Sequence, residues 1–199
     1  MSRATVIDLL RHGTVDGPPV FRGLQDDRLG SVGWSQMERA TRGGSWDGVI
    51  ASPLARCREF AEKVADNKGI SLQIETGFRE MDFGDWEGRG AGEILAEAPG
   101  PLEAFWRDPQ TISPPGGESL PAMQARVTAA WRELCRREAG RRVLLVTHGG
   151  VIRLILAEVL GMPLDRLHAL NVPPAGLSRV RVFADGNHLL DWHGREGPE

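Results

Sequence analysis

The sequence is poor in cysteine, with only Cys57 and Cys135 among 199 residues. They lie far apart, each inside a helical pattern. That excludes a disulfide framework and a cysteine-based metal centre, and predicts two small buried hydrophobes. No stretch approaches the roughly 20 consecutive apolar residues of a membrane helix. The N-terminal "MSRATVIDLLRHG" lacks an apolar leader core followed by a small-residue cleavage site, so a cytoplasmic location is expected. Basic charge is not in excess: 24 Lys and Arg stand against 27 Asp and Glu, for a net charge of −3. Nucleic acid and anionic membranes, which call for a basic face, are therefore not expected partners. No His-x-x-x-His pair or carboxylate cluster has ligand spacing, so no metal is expected, nor any cofactor. There is no repeat and no low-complexity tract. What is there, 41% hydrophobic and 26% charged residues, is the composition of one globular domain over residues 1–199 with a modest insertion.

Strand-like and helix-like patterns alternate. Residues 4–10, 47–52, 71–75, 142–147 and 177–184 read as strands. Residues 31–43, the segment after 52, one or two short pieces in 91–107, the stretch after 120, and 149–161 read as helices. Ser52 is an N-cap candidate with Pro53 at the first helical position. Leu54, Cys57, Phe60, Ala61 and Val64 share one face of that helix, and Leu120, Met123, Val127, Ala130, Trp131 and Leu134 share a stripe of another. The alternation predicts an α/β fold: a three-layer α/β/α sandwich with a mostly parallel central sheet, and a small helical lid inserted at about 84–120.

Three strands exit into polar turns: "LLRHG" (9–13), "IASPLAR" (50–56) and "LLVTHGG" (144–150). In open parallel sheets the carboxyl ends of neighbouring strands line one crevice. If these three are neighbours, Arg11, His12, Arg56 and His148 converge there, with Gly13 letting the backbone turn and approach a ligand. Two Arg and two His form an anion trap, since guanidinium groups match phosphate oxygens and the helix after His148 opens with free amides. One His could attack phosphorus. A leaving alkoxide needs an acid, and "FREMDFGDWEG" (78–88) offers Glu80, Asp82, Asp85 and Glu87. The plainer readings make Asp85 and Glu87 solvated loop acids. They also place Arg141 and Arg142 at a solvated corner, put His168, His188 and His193 on the surface, and assign Trp34, Trp46, Trp86, Trp106 and Trp131 to packing.

"LLRHGT", "SPLARC", "REMDFGDWEG", "PPGGES" and "VTHGGVIR", in this order over residues 6–156, resemble the successive motifs of the histidine phosphatase superfamily, in its phosphoglycerate-mutase-like branch. Within it, "RGLQDDRLGSVGWSQM", "GFREMDFGDWEGR" and "VTHGGVIRLIL" are most similar to bacterial α-ribazole phosphatase-like proteins. The resemblance implies a metal-independent phosphomonoesterase acting on a small phosphorylated metabolite, with His12 as the phosphorylated nucleophile. It implies Arg11, Arg56 and His148 on the phosphoryl group and Glu80 as proton donor, with Asp82 the alternative. Glu118 matches a position near the pocket rim. The family Thr three residues after the nucleophile is replaced by Val15, and an Asn a few residues later is missing. First-loop phosphate contacts are therefore assigned to Thr14 and Arg22. For the substrate, the resemblance suggests α-ribazole 5′-phosphate in cobalamin assembly.

Two rival functions are weighed. A mutase must hold two anionic groups at once. Here residues 84–120 carry only Arg89 and Arg107 against Asp85, Glu87, Glu93, Glu97, Glu103, Asp108 and Glu118, a poor cradle for a bisphosphate. A non-catalytic relative would be expected to lose the nucleophile or the donor, and this chain keeps both. Phe105 and Trp106 in the lid could pack on a ring system of the substrate, or simply on the domain.

Overall fold

The computed structural model describes residues 3–197. Its strands are β1 (Thr5–Arg11), β2 (Gly48–Ala51), β3 (Ser71–Ile74), β4 (Arg142–Thr147), β5 (Leu177–Val182) and β6 (His188–Arg195). Its α-helices are α1 (Ser31–Thr41), α2 (Ala55–Lys68), α3 (Ala91–Glu97), α4 (Pro99–Arg107), α5 (Leu120–Arg137) and α6 (Gly149–Leu160). One mixed sheet runs β3-β2-β4-β1-β5-β6. The pairings β3/β2, β2/β4 and β4/β1 are parallel, whereas β1/β5 and β5/β6 are antiparallel.

The two-residue period of the strands builds three layers. Leu9, Ile50, Val143 and Leu145 point into a core shared with Met123, Val127, Trp131 and Leu134 of α5 and Val151, Ile152 and Ile155 of α6. Leu10, Val49, Ala51, Leu144 and Val146 point the other way, onto Met37 of α1 and Cys57, Phe60, Ala61 and Val64 of α2. The fold is the expected α/β sandwich.

Four local expectations change. Helix α2 starts at Ala55 with Leu54 at the cap, so Ser52 is not its N-cap. The Ala55 N–H donates instead to Asp26 Oδ1 at 2.6 Å. Strand β5 stops at Val182, and a further strand, β6, pairs with it after a turn. The segment 188–195 has no clear alternation, since its outer edge faces water and backbone pairing with β5 holds it. Trp106 is 52% exposed, because α4 turns Leu102 and Phe105 inward, onto Trp86, instead. Arg142 is not merely solvated. It reaches Asp8, a fully buried carboxylate on β1 that also accepts from Trp46 Nε1 at 2.8 Å and Arg179 Nε at 2.7 Å.

The register aligns the ends of three adjacent strands. Arg11 lies beside Thr147, and Ala51 beside Val146. His12 N–H continues the ladder to Thr147 O at 2.9 Å, and Ser52 N–H continues it to Val146 O at 3.0 Å. His12, Ser52 and His148 therefore leave the sheet at one level.

Candidate active site

Gly13 lies in the wall of the candidate cavity and also serves a packing purpose. A Cβ there would lie 2.3 Å from Gly33 O, and one at Gly33 would lie 2.1 Å from Thr14 O. The chain leaving β1 thus crosses the first turn of α1 in backbone contact, and this fixes the direction in which His12 emerges.

His12, Arg11, Thr14, Arg22, Arg56 and Glu80 line one cavity of about 420 Å³. A larger cavity, about 520 Å³, lies at the opposite end of the sheet beside Arg3, Thr5, Trp131 and His188 and holds none of the converging groups. The His12 ring takes one hydrogen bond among the described residues, from Nδ1 to Gly13 O at 2.8 Å. A carbonyl only accepts, so Nδ1 carries the proton and Nε2 keeps its lone pair. Burial, reinforced by the charges of Arg56 and Arg11, pushes the His12 pKa down to about 3. The ring is neutral and able to attack.

Arg56 donates through Nη1 to Gln25 O at 2.6 Å and through Nη2 to Gly23 O at 2.7 Å. Arg11 donates through Nη1 to Val172 O at 2.5 Å. Burial lowers the Arg11 pKa, opposed by the nearby Glu80 carboxylate. In both arginines Nε is buried without a hydrogen-bond partner among the described residues.

His148 stands behind His12 and outside the cavity wall. It is fully buried, its ring meets that of His12 edge-on with centroids 5.3 Å apart, and its Nε2 pairs with Ser52 Oγ at 2.7 Å. Burial and the Arg56 charge hold its pKa well below the ordinary value. Cys57 Sγ lies 3.6 Å from the same ring, and burial pushes this thiol up, so it stays protonated. Cys135 is half-buried, and desolvation raises it to about 12.

The remaining assignments separate. Thr14 forms part of the wall, but its N–H and its hydroxyl both donate to Gln36 Oε1, at 2.9 and 3.0 Å. No Thr14 proton is left for an anion. Arg22 is braced by Asp16 O at 3.0 Å and by Asp27 Oδ2 at 3.2 Å, so Asp27 offsets its charge. Of the four acids in 78–88, only Glu80 reaches the cavity. Its Oε2 accepts from Gly150 N–H at 3.2 Å, in the first turn of α6, and its Oε1 from Met81 N–H at 3.0 Å. Asp82 instead accepts from Gly84 N–H at 2.8 Å, and Asp85 is exposed.

The family model of the histidine phosphatase superfamily (branch 1) matches residues 7–194. The chain belongs to this superfamily. It is 33% identical over 181 residues to the glucosyl-3-phosphoglycerate phosphatase of Mycobacterium tuberculosis, covering 84% of this chain and 81% of that one. It is 30% identical over 181 residues to the adenosylcobalamin/α-ribazole phosphatase of Escherichia coli, covering 87% and 88%. It spans only 50% of the length of a bifunctional M. tuberculosis protein, matching 89% of itself at 32% identity. Among solved structures, the α-ribazole phosphatase of Shigella flexneri superposes with a TM-score of 0.86 at 25% identity, over 98% of each chain.

Sequence reasoning missed several residues of this candidate site. Glu87 is no solvated acid: it accepts from Leu24, Gln25 and Phe83 N–H at 2.7, 3.0 and 3.1 Å. It thereby fixes the loop whose carbonyls hold Arg56. Glu118 does not line the cavity. Its carboxylate is paired with Arg126 at 2.7 Å. The contacts of Ser52 with His148 and of Gln36 with Thr14 leave no local signal, because the partners are distant in sequence. Surface placement holds for His168, whereas His188 packs edge-on against Trp131 and His193 bonds Ser178 Oγ at 2.7 Å.

Proposed function

We propose that this chain is a phosphomonoesterase that works through a phosphohistidine at His12 and requires no metal. His12 Nε2 attacks phosphorus as the ester P–O bond breaks, and Glu80 gives its proton to the departing oxygen. Water then attacks phospho-His12 while the Glu80 carboxylate takes its proton. The P–N bond breaks and inorganic phosphate leaves. Arg11 and Arg56 stabilise the charge on the equatorial oxygens, and an oxyanion would complete their unpartnered Nε hydrogens. His148, neutral and edge-on, keeps the His12 ring in place. The observation that carries this reading is the His12 Nδ1–Gly13 O bond, because it leaves the attacking nitrogen unprotonated beside two guanidinium groups.

For the substrate we propose α-ribazole 5′-phosphate. The wall beyond the arginines is formed by Val15, Pro18, Pro19, Val20, Phe21, Phe83 and Pro174. That surface suits a ring system better than a polyol. No residue of α3 or α4 lines the cavity, so this wall, and not Phe105 or Trp106, would receive the ring. A broad small-molecule phosphatase is the second reading, supported by the similar identity to a glucosyl-3-phosphoglycerate phosphatase. A mutase is disfavoured because Arg89, one of two lid cations, is already paired with Glu93 and Glu97.

The test is phosphate release in chelator across α-ribazole 5′-phosphate, 3-phosphoglycerate, phosphoserine, sugar phosphates and mononucleotides. A dominant kcat/KM for the first supports the substrate, and a flat profile removes it. His12→Ala should abolish both turnover and the acid-labile phosphoenzyme; near-normal turnover would sink the mechanism.

A further inference from the structure

The acid assigned to Glu80 sits on a segment with no regular structure. Residues 79–83 follow a short 3-10 turn at Thr76–Phe78 and belong to no strand or helix. A loop so placed would let the carboxyl wander, and a displacement of about 1 Å at a reacting group can cost on the order of 100-fold in rate. Yet every carbonyl from Gly77 to Glu80 is held by a side chain. Thr147 Oγ donates to Phe78 O at 2.8 Å. The other three carbonyls go to one residue, Arg126 of α5: Nη1 donates to Gly77 O at 3.0 Å and Arg79 O at 2.8 Å, and Nη2 donates to Glu80 O at 3.0 Å.

The two remaining hydrogens of that guanidinium go to Glu118. Nε donates to Oε1 and Nη2 to Oε2, each at 2.7 Å, in the two-pronged geometry that only arginine offers a carboxylate. All five N–H donors of Arg126 are thus used. The side chains of Arg126 and Glu118 are 15% and 11% exposed. Glu118 is itself tied to the same loop, since its N–H donates to Asp82 O at 2.8 Å. Neither residue lines the cavity.

We propose that the Glu118–Arg126 pair is the positioning device for the proton donor: Glu118 orients the guanidinium, and Arg126 fixes the backbone that aims Glu80 at the leaving oxygen. This rests on the reading of Glu80 as general acid and extends it to residues that touch no substrate. A clamp on the acid makes a different prediction from a general structural role. Its loss should slow substrates in proportion to how much their leaving group needs a proton.

The experiment compares phenyl phosphate with p-nitrophenyl phosphate. The two are similar in shape, but p-nitrophenolate departs without protonation. Arg126→Lys keeps the charge but has three donors in place of five and cannot span three carbonyls and a carboxylate. Its kcat/KM for phenyl phosphate, which reports phosphoryl transfer to His12 and not the later hydrolysis common to both substrates, should fall by about 10- to 100-fold, with a change of less than about 3-fold in kcat/KM for p-nitrophenyl phosphate and in inhibition by inorganic phosphate. Glu118→Gln, which keeps the side chain's shape and one of the two accepting oxygens, should shift the ratio in the same direction by a smaller factor. Glu80→Gln, run alongside, must show the largest change in ratio. If Glu80→Gln changes the ratio while both clamp variants lower the two substrates equally or not at all, the positioning role is overturned and the acid assignment stands. If Glu80→Gln leaves the ratio unchanged, the acid assignment fails and the proposal falls with it.

Discussion

Replacing Glu87 should weaken both the fold and phosphate binding, although its own side chain does not line the cavity. Oε1 accepts from Leu24 and Phe83 N–H and Oε2 from Gln25 N–H. Gly23 and Gln25, in the loop so held, supply the two carbonyls that grip Arg56. Hydrogen bonds to a charged group contribute about 1.5–3 kcal/mol each, and these three are only partly buried, so the lower end applies. Glu87→Ala should cost about 3–5 kcal/mol. At about 2–4 °C per kcal/mol for a chain of this size, that lowers Tm by roughly 10 °C. Glu87→Gln is milder. Its amide oxygen can still accept from Leu24 and Phe83, but its NH2 faces the Gln25 N–H, a loss of about 1–2 kcal/mol. With Gln25 O loosened, Arg56 loses its aim, and the Kd for inorganic phosphate should rise about tenfold, equivalent to about 1.4 kcal/mol. Thermal unfolding and phosphate titration calorimetry on wild type and both variants read these quantities. A Glu87→Ala protein with wild-type Tm and wild-type phosphate affinity would refute the argument that this carboxylate organises the arginine.

Stability should also fall on acidification. The His12 and His148 pKa values are depressed in the fold, so the unfolded chain takes up protons near pH 6.5 that the folded chain refuses. Stability is full above that pH and declines below it, by up to about 1.4 kcal/mol per pH unit for each ring. For His12 this continues toward its value of about 3. Urea unfolding from pH 7.5 to 4.5 would show it, and His148→Asn, which cannot titrate, should flatten the slope. Gly33→Ala would place a Cβ 2.1 Å from Thr14 O and should lower stability by about 2 kcal/mol or more. It should also reduce kcat through a displaced His12; a wild-type Tm would show that the crossing has room. Asp8→Ala strips the buried partner from Arg179 and Trp46 and should cost about 3–5 kcal/mol, with kcat unchanged in the protein that remains folded. A coupled loss of kcat would mean that this cluster communicates with the site.

Much of the architecture can be read from the chain because it depends on neighbours a few residues apart. The alternation of Leu9 against Leu10 and Leu144 against Leu145 assigns each to one face of the sheet, and the stripe from Leu120 to Leu134 places α5. Strand β6 escapes this reading. Its residues are all exposed or half-buried, and it exists because β5 offers a row of backbone partners. The α2 start escapes it too, since the group that caps Ala55 is Asp26, from a loop 29 positions earlier.

The candidate site divides along the same line. Residue order alone marks Arg11, His12, Arg56 and His148, because each lies where a buried run exits into a polar turn; among the four acids of 78–88 only the family resemblance chooses Glu80. Only the tertiary structure decides what these side chains do. It commits Thr14's protons to Gln36, sets His148 behind His12 against Ser52, and removes Asp82 to a turn. It turns Glu87, Glu118 and Arg126 into holders of backbone. The reason is physical: a carbonyl or an amide is the same group in every residue, so the partner of a long polar side chain is chosen by where the fold leaves main-chain groups unpaired. That choice is made only once β1, β2 and β4 lie side by side.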